Sequence, residues 1–169
     1  MTEFTQAALE ASGFVGWIPS EEILTSACPL LGGIYVITYK GGDPPAFTEL
    51  SCGGRFKGKD PTVSREVLAS NWVSSAEVVY IGKADKLKRR LKQFADFGAG
   101  KPVGHWGGRL IWQLPNIDEL LVAWKETPER IPIEVEAELI EQFRQRYGKP
   151  PFANNPHRLG AGFGRGRAR

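Results

Sequence analysis

Long apolar runs are missing from this 169-residue chain: no stretch approaches the ~18 consecutive residues that a membrane-spanning helix needs. The first residues, MTEFTQAALEASGF, lack the basic start and apolar stretch of a secretory leader, so the expected location is the cytoplasm. Cysteine is scarce. Cys28 and Cys52 stand alone, without the paired spacing of a metal site, and are expected to be reduced thiols. Internal repeats are absent, which excludes a solenoid. Acidic residues are missing from two places where basic ones gather. Between Lys83 and Lys92 the only acid is Asp85, among Lys83, Lys86, Lys88, Arg89, Arg90 and Lys92, and the last thirteen residues, HRLGAGFGRGRAR, hold four arginines and no acid. The formal charge of +3 therefore comes from local patches on a near-neutral body, the distribution expected of a protein that binds a polyanion. A solvated helix face and a flexible tail would give the same counts.

What is present is enough for one domain. Apolar residues make up 41% of the chain, which can fill a single core, and the length is too short for two full domains and a linker. A short helix is expected over 4–11, followed by a loop anchored by Phe14, Trp17 and Ile18. The alternation in GGIYVITYK predicts a strand over 33–39. GGDPPAF and CGGRFKGKDP then punctuate a connection that cannot be regular throughout, with one helix in PTVSREVLASNWV. A second strand is expected over 77–81, a helix over 85–97 with Asp85 able to cap it, and a third strand over 107–114, GGRLIWQL. Helices are predicted for NIDELLVAWKE (116–126) and PIEVEAELIEQFRQRY (132–147). The resulting class is α/β (α+β), a small, mainly antiparallel three-stranded sheet flanked by helices.

Two helices point at a site. On a wheel of ~100° per residue, Leu87, Leu91 and Phe94 share one face of the basic helix. Arg89 lies opposite, facing solvent or phosphate, and Arg90 borders the core at roughly 65° from its centre, where it can reach toward the sheet or simply snorkel over the core. On the last helix Ile133, Ala137, Leu139, Ile140, Phe143 and Tyr147 form the apolar face. Glu136 falls within roughly 30° of its centre, while Glu134, Glu138 and Glu141 point away. A carboxylate on a packed face must be paired, with Arg144 or Arg90, or must bind a cation.

Gly33-Ile34-Tyr35, Tyr80-Ile81-Gly82, an arginine on the next helix, a glutamate on a later one and a closing asparagine resemble the pattern of the GIY-YIG nuclease family. YIGKADKLKRRL is similar to the incision domain of bacterial excision-repair nucleases. The likeness runs from about Gly32 to Asn155 through EAELI and PPFANN. It implies an N-terminal extension over 1–30, a nuclease domain over 31–156 with an insertion at about 41–75, and a Gly/Arg-rich tail over 157–169. It also implies a metal-dependent endonuclease acting on DNA, expected to be double-stranded. Its catalytic residues would be Tyr35, Tyr80, Lys83, Arg90, Glu136 and Asn154, with Asn155 as the alternative to Asn154. Glu136 would hold a divalent ion, Mg²⁺ or Mn²⁺, and Arg90 would clamp the phosphate. Tyr35 is assigned as general base and Tyr80 as its hydrogen-bond partner, the reverse remaining open. Lys86, Arg89, Lys92, His105 and Arg109 are the expected DNA contacts.

Two features depart from the pattern. A long connection separates Tyr35 from Tyr80, as in restriction-type members. Some of those carry a histidine four residues after the arginine; here that position is Phe94, and His105 in GHWGG is a candidate for the same space. A catalytically idle nucleic-acid-binding module on the same fold is the competing reading, since fold does not establish activity. An interaction domain whose tail binds RNA is a third, which leaves Glu136 unexplained.

Overall fold

Seven consecutive residues of GIYVITY are buried, because this strand runs through the middle of a sheet and is covered on both faces. The computed structural model describes residues 3–154. The elements in order are α1 (Gln6–Ala11), β1 (Val15–Ile18), β2 (Gly33–Tyr39), α2 (Arg65–Asn71), β3 (Val78–Ala84), α3 (Leu87–Gly98), β4 (Leu120–Glu126) and α4 (Pro132–Tyr147), with short 3₁₀ segments between them. Among the described residues the fold is mixed α/β, built on a four-stranded, wholly antiparallel sheet of order β1-β4-β2-β3. No helix among the described residues is long and apolar enough to cross a membrane. The expected tail over 157–169 lies outside the described residues.

Pleating sorts β2 between two cores. Tyr35, Ile37 and Tyr39 face one, shared with Tyr80, Leu87, Leu91 and Phe94; Ile34 and Val36 face the other, with Phe4 just ahead of α1, Leu9 of α1 and Phe143 of α4. The sheet is thus sandwiched, with α3 on one side and α1 and α4 on the other.

Three expectations are corrected. GGRLIWQL is not a strand: Trp106–Gln113 is a 3₁₀ segment with Gly108–Gln113 all buried. Its Gln113 side chain works as an internal peg, donating to the carbonyls of Thr48 and Val63 and accepting from Val63 N–H. The third strand is instead Leu120–Glu126, inside the segment read as a helix. Val122, Ala123 and Trp124 are buried on both faces, so the run shows no alternation and cannot be told from a buried helix by period. The fourth strand, β1, lies in the expected loop. Gly16 there has φ +108°, and a Cβ on it would meet the Trp124 ring at 2.5 Å, so the edge strand is glycine-interrupted where Trp124 packs.

The helices follow their local signals more closely. α4 starts with Pro132 in its first turn and stops at Gly148 in the left-handed region, φ +81°. α3 starts at Leu87 after Lys86, with no side-chain cap, so Asp85 does not cap it. The backbone N–H groups of Leu87 and Lys88 donate instead to the carbonyls of Leu31 and Pro29.

Candidate active site

The β2–β3 register sets Tyr35 opposite Gly82. A Cβ at Gly82 would lie 2.4 Å from Tyr35 Cζ, so the missing side chain is the space the phenol ring occupies. Tyr80, two residues earlier on β3, projects to the same side, and the two rings sit 5.9 Å apart. Gly33 has a comparable cause: a Cβ there would come within 2.2 Å of the Lys125 carbonyl and 2.9 Å of Leu87. The glycines admit an aromatic ring and a close strand and helix.

α3 buries Leu87, Leu91, Phe94 and Phe97 and leaves Arg89 exposed, with Arg90 half-buried at the border, as the wheel requires. Arg90 Nη1 donates to the Gly104 carbonyl at 2.7 Å and to Gln93 Oε1 at 3.2 Å. Its charge bears on Tyr35, Tyr80, His105 and Glu136. Burial pushes Tyr35 well above its ordinary pKa and raises Tyr80 as well, while Arg90 draws both down.

His105, for which the space beside Phe94 and a DNA contact were the two expectations, packs beside Phe94 and reaches Tyr35. Its Nε2 lies 2.9 Å from Tyr35 Oη, both side chains are fully buried, and its ring packs against Phe94 and Tyr80. Burial and the Arg90 charge lower its pKa to about 3, so the imidazole is neutral near pH 7 and the resting proton stays on the phenol. The expected contact of His105 with DNA is therefore corrected: the ring has no exposed surface. Arg109, another expected DNA contact, is 9% exposed, lies over the Trp106 ring at 4.8 Å and donates to the Trp106 carbonyl. Lys92 is exposed but paired with Asp96, which Lys101 also neighbours. The local signal for His105 was its glycine-flanked loop; its partner, 70 positions earlier, left none.

Beside these groups opens a cavity of about 480 Å³ lined by Lys83, Ala84, Asp85, Lys86, Arg89, Arg90 and Gln93. Four cations against one carboxylate make it an anion-attracting pocket. Glu136 is half-buried on α4, and burial raises its pKa, opposed by the ammonium and backbone N–H of Lys83 and by Arg90. Among the described residues it forms no ion pair within 4.0 Å, and Arg144, one of the partners considered, lies beside Glu141 instead. The packed face of α4 is rotated from the expected one. Ile133 is 54% exposed and Ala137 exposed, while Val135, Leu139, Ile140 and Tyr147 flank buried Phe143, so Glu136 sits at the edge of the face.

Among the described residues no three of His, Cys, Asp and Glu converge. A cation needing several protein ligands, such as Zn²⁺, does not fit this centre. A hard ion that keeps most of its water and takes a single carboxylate, such as Mg²⁺, fits Glu136. Asn154 secures the edge of β3: its Oδ1 accepts from Ile81 N–H at 2.8 Å and its Nδ2 donates to the Ile81 carbonyl at 2.7 Å. With Ala153 N–H donating to the Val79 carbonyl, residues 153–154 stand in for a neighbouring strand. Asn155 lies outside the described residues.

In comparisons with known proteins, no family model, no curated protein and no solved structure matches the chain.

Proposed function

We propose that this protein is a divalent-metal-dependent DNA endonuclease of the GIY-YIG type. The supporting observation is convergence: the charge of Arg90 on α3 reaches Tyr35 on β2 and Tyr80 on β3, and the charges of Arg90 and of Lys83 on β3 reach Glu136 on α4, with Lys83 and Arg90 both lining one basic cavity. Phosphodiester hydrolysis needs a clamp for the phosphate, a proton acceptor for the attacking water and relief for the developing charge. Lys83 and Arg90 are the clamp, and Arg90 offers a planar fork of donors matched to phosphate oxygens. Lys86 and Arg89 extend the same wall for adjoining phosphates. Glu136 would hold Mg²⁺ or Mn²⁺, which when bound offsets phosphate charge and polarises water. Tyr35 is assigned as the base, a role that requires its phenol proton to leave before it accepts one from water; Arg90 and the bound cation would favour that phenolate, with Tyr80 and His105 beside the hydroxyl.

A second reading has an observation of its own. Tyr35 is 0% exposed, its hydroxyl is engaged by His105, and neither tyrosine lines the basic cavity. A protein that binds DNA phosphates without cutting them would look the same. Incubating supercoiled plasmid with the purified protein, in Mg²⁺ and in EDTA, separates the two. Nicked or linear product in Mg²⁺ alone supports the nuclease, and retarded but intact plasmid in both supports the binding module.

A further inference from the structure

The basic cavity has an apolar neighbour. Residues 26–31 cross the start of α3 and are held there by three hydrogen bonds. Leu87 N–H donates to the Leu31 carbonyl at 2.9 Å and Lys88 N–H to the Pro29 carbonyl at 3.0 Å. Lys88 Nζ donates to the Ser26 carbonyl at 3.3 Å, and Cys28, within the segment, is buried. With the backbone fastened on one side, Leu30 and Leu31 are left 70% and 59% exposed. Adjacent Gly32 sits against the strand end: a Cβ there would lie 3.3 Å from the carbonyl oxygens of both Ala84 and Asp85, two residues that line the basic cavity. Through Gly32 and Asp85 this segment borders the cavity's rim, with Leu31 next to Gly32 and Leu30 one residue further along the chain.

Charge divides this rim. Lys83, Lys86, Arg89 and Arg90 draw anions into the cavity. On the Leu31 side, a second depression of about 360 Å³ is bordered by Asp85, Glu126, Pro128 and Pro132 and by no cation. Phosphates are attracted on one side and repelled on the other, while the repelling side carries aliphatic surface. Duplex DNA meets both conditions, since its phosphates lie next to an uncharged stack of bases into which aliphatic side chains can wedge.

We propose that Leu30 and Leu31 form a wedge that enters a base step of duplex DNA whose phosphates occupy the neighbouring cavity. This rests on the reading of the cavity as a DNA site. The cost of entering a step is least where stacking is already weak, so the wedge makes the protein prefer mismatched or easily kinked steps over well-stacked ones.

The test uses the full chain in EDTA, with duplexes carrying 2-aminopurine beside a mismatch or in a matched control. Wild type binds the mismatched duplex about tenfold more tightly than the control, and 2-aminopurine fluorescence rises on binding as the base unstacks. The variant with Leu30→Ser and Leu31→Ser keeps its melting temperature and its affinity for the matched duplex, and loses both the preference and the fluorescence rise. Wild-type binding without a fluorescence rise, or a leucine variant that keeps the preference, overturns the wedge and leaves the DNA cavity standing. No binding of either duplex by wild type overturns both. A fall from dimer to monomer in sedimentation on changing the leucines, with unstacking unaltered, overturns the wedge in favour of a self-association surface.

Discussion

Replacing Glu136 with glutamine keeps the shape of the side chain and removes its charge, which makes it the most informative single change. In the folded protein the carboxylate is half-desolvated and its pKa raised, and the opposing pull of Lys83 and Arg90 does not cancel the burial. A carboxylate whose folded pKa exceeds its unfolded value destabilises the fold at any pH above the folded pKa, and the penalty fades as pH falls through it. The uncharged amide escapes that penalty and forgoes the attraction of two cations. After allowance for solvent screening at a half-buried site, the balance is within about 1 kcal/mol of zero, a shift of no more than ~2–4 °C in melting temperature for a chain of this size. In EDTA the variant should bind duplex DNA as well as wild type or better, since one repulsion with phosphate is gone. In Mg²⁺ its plasmid cleavage should fall by ~100-fold or more, because the neutral amide no longer offers the charged oxygen that the cation would take. Calorimetry, gel shift and plasmid nicking on one preparation provide all three readouts. A loss of ~3 kcal/mol with cleavage retained would refute the reasoning and make Glu136 a structural counter-ion of Lys83 and Arg90.

Three further outcomes follow from the same geometry. Tyr35→Phe keeps the ring packed but strands buried His105 Nε2, so stability should drop by ~1–3 kcal/mol and cleavage by ~100-fold; cleavage at the wild-type rate in a folded variant rules out Tyr35 as base. Burial holds the His105 pKa at about 3 against the ordinary histidine value of 6.5, so its contribution to stability is complete above pH 6.5 and is lost as pH falls toward 3. Urea titrations should show wild type losing roughly 2 kcal/mol more than His105→Gln between pH 7 and pH 5, and parallel pH dependences would show that the histidine is not buried neutral. Gly82→Ala forces a methyl group to within 2.4 Å of Tyr35 Cζ, and should cost ~1–3 kcal/mol together with cleavage; an unchanged melting temperature would mean that the tyrosine ring lies elsewhere.

Much of the site was written in local sequence. Strand 33–39 and helix 132–147 are legible because period, proline and glycine signals are carried by neighbours in the chain. The wheel distinguishes Arg90 from Arg89 for the same reason, since a helix's faces follow from spacing alone. Where burial surrounds an element, that logic fails. Leu120–Glu126 is covered on both sides and Trp106–Gln113 almost wholly enclosed, so neither shows a period that would betray its form. The wheel also misjudged which arc of α4 packs, because apolar composition does not say how far a helix is rolled against its sheet; Ile133 is exposed and Phe143 anchors the contact.

The amino-acid sequence by itself determined the residue types of the site and their order, with glycines close to the tyrosines in the chain and cations gathered on one helix. Only the tertiary structure decided their partners. The bond from Tyr35 to His105 and the two from Asn154 to Ile81 each join residues at least 70 positions apart. Such contacts come from how strands register and helices dock, and these depend on packing across the whole core, which no local pattern encodes.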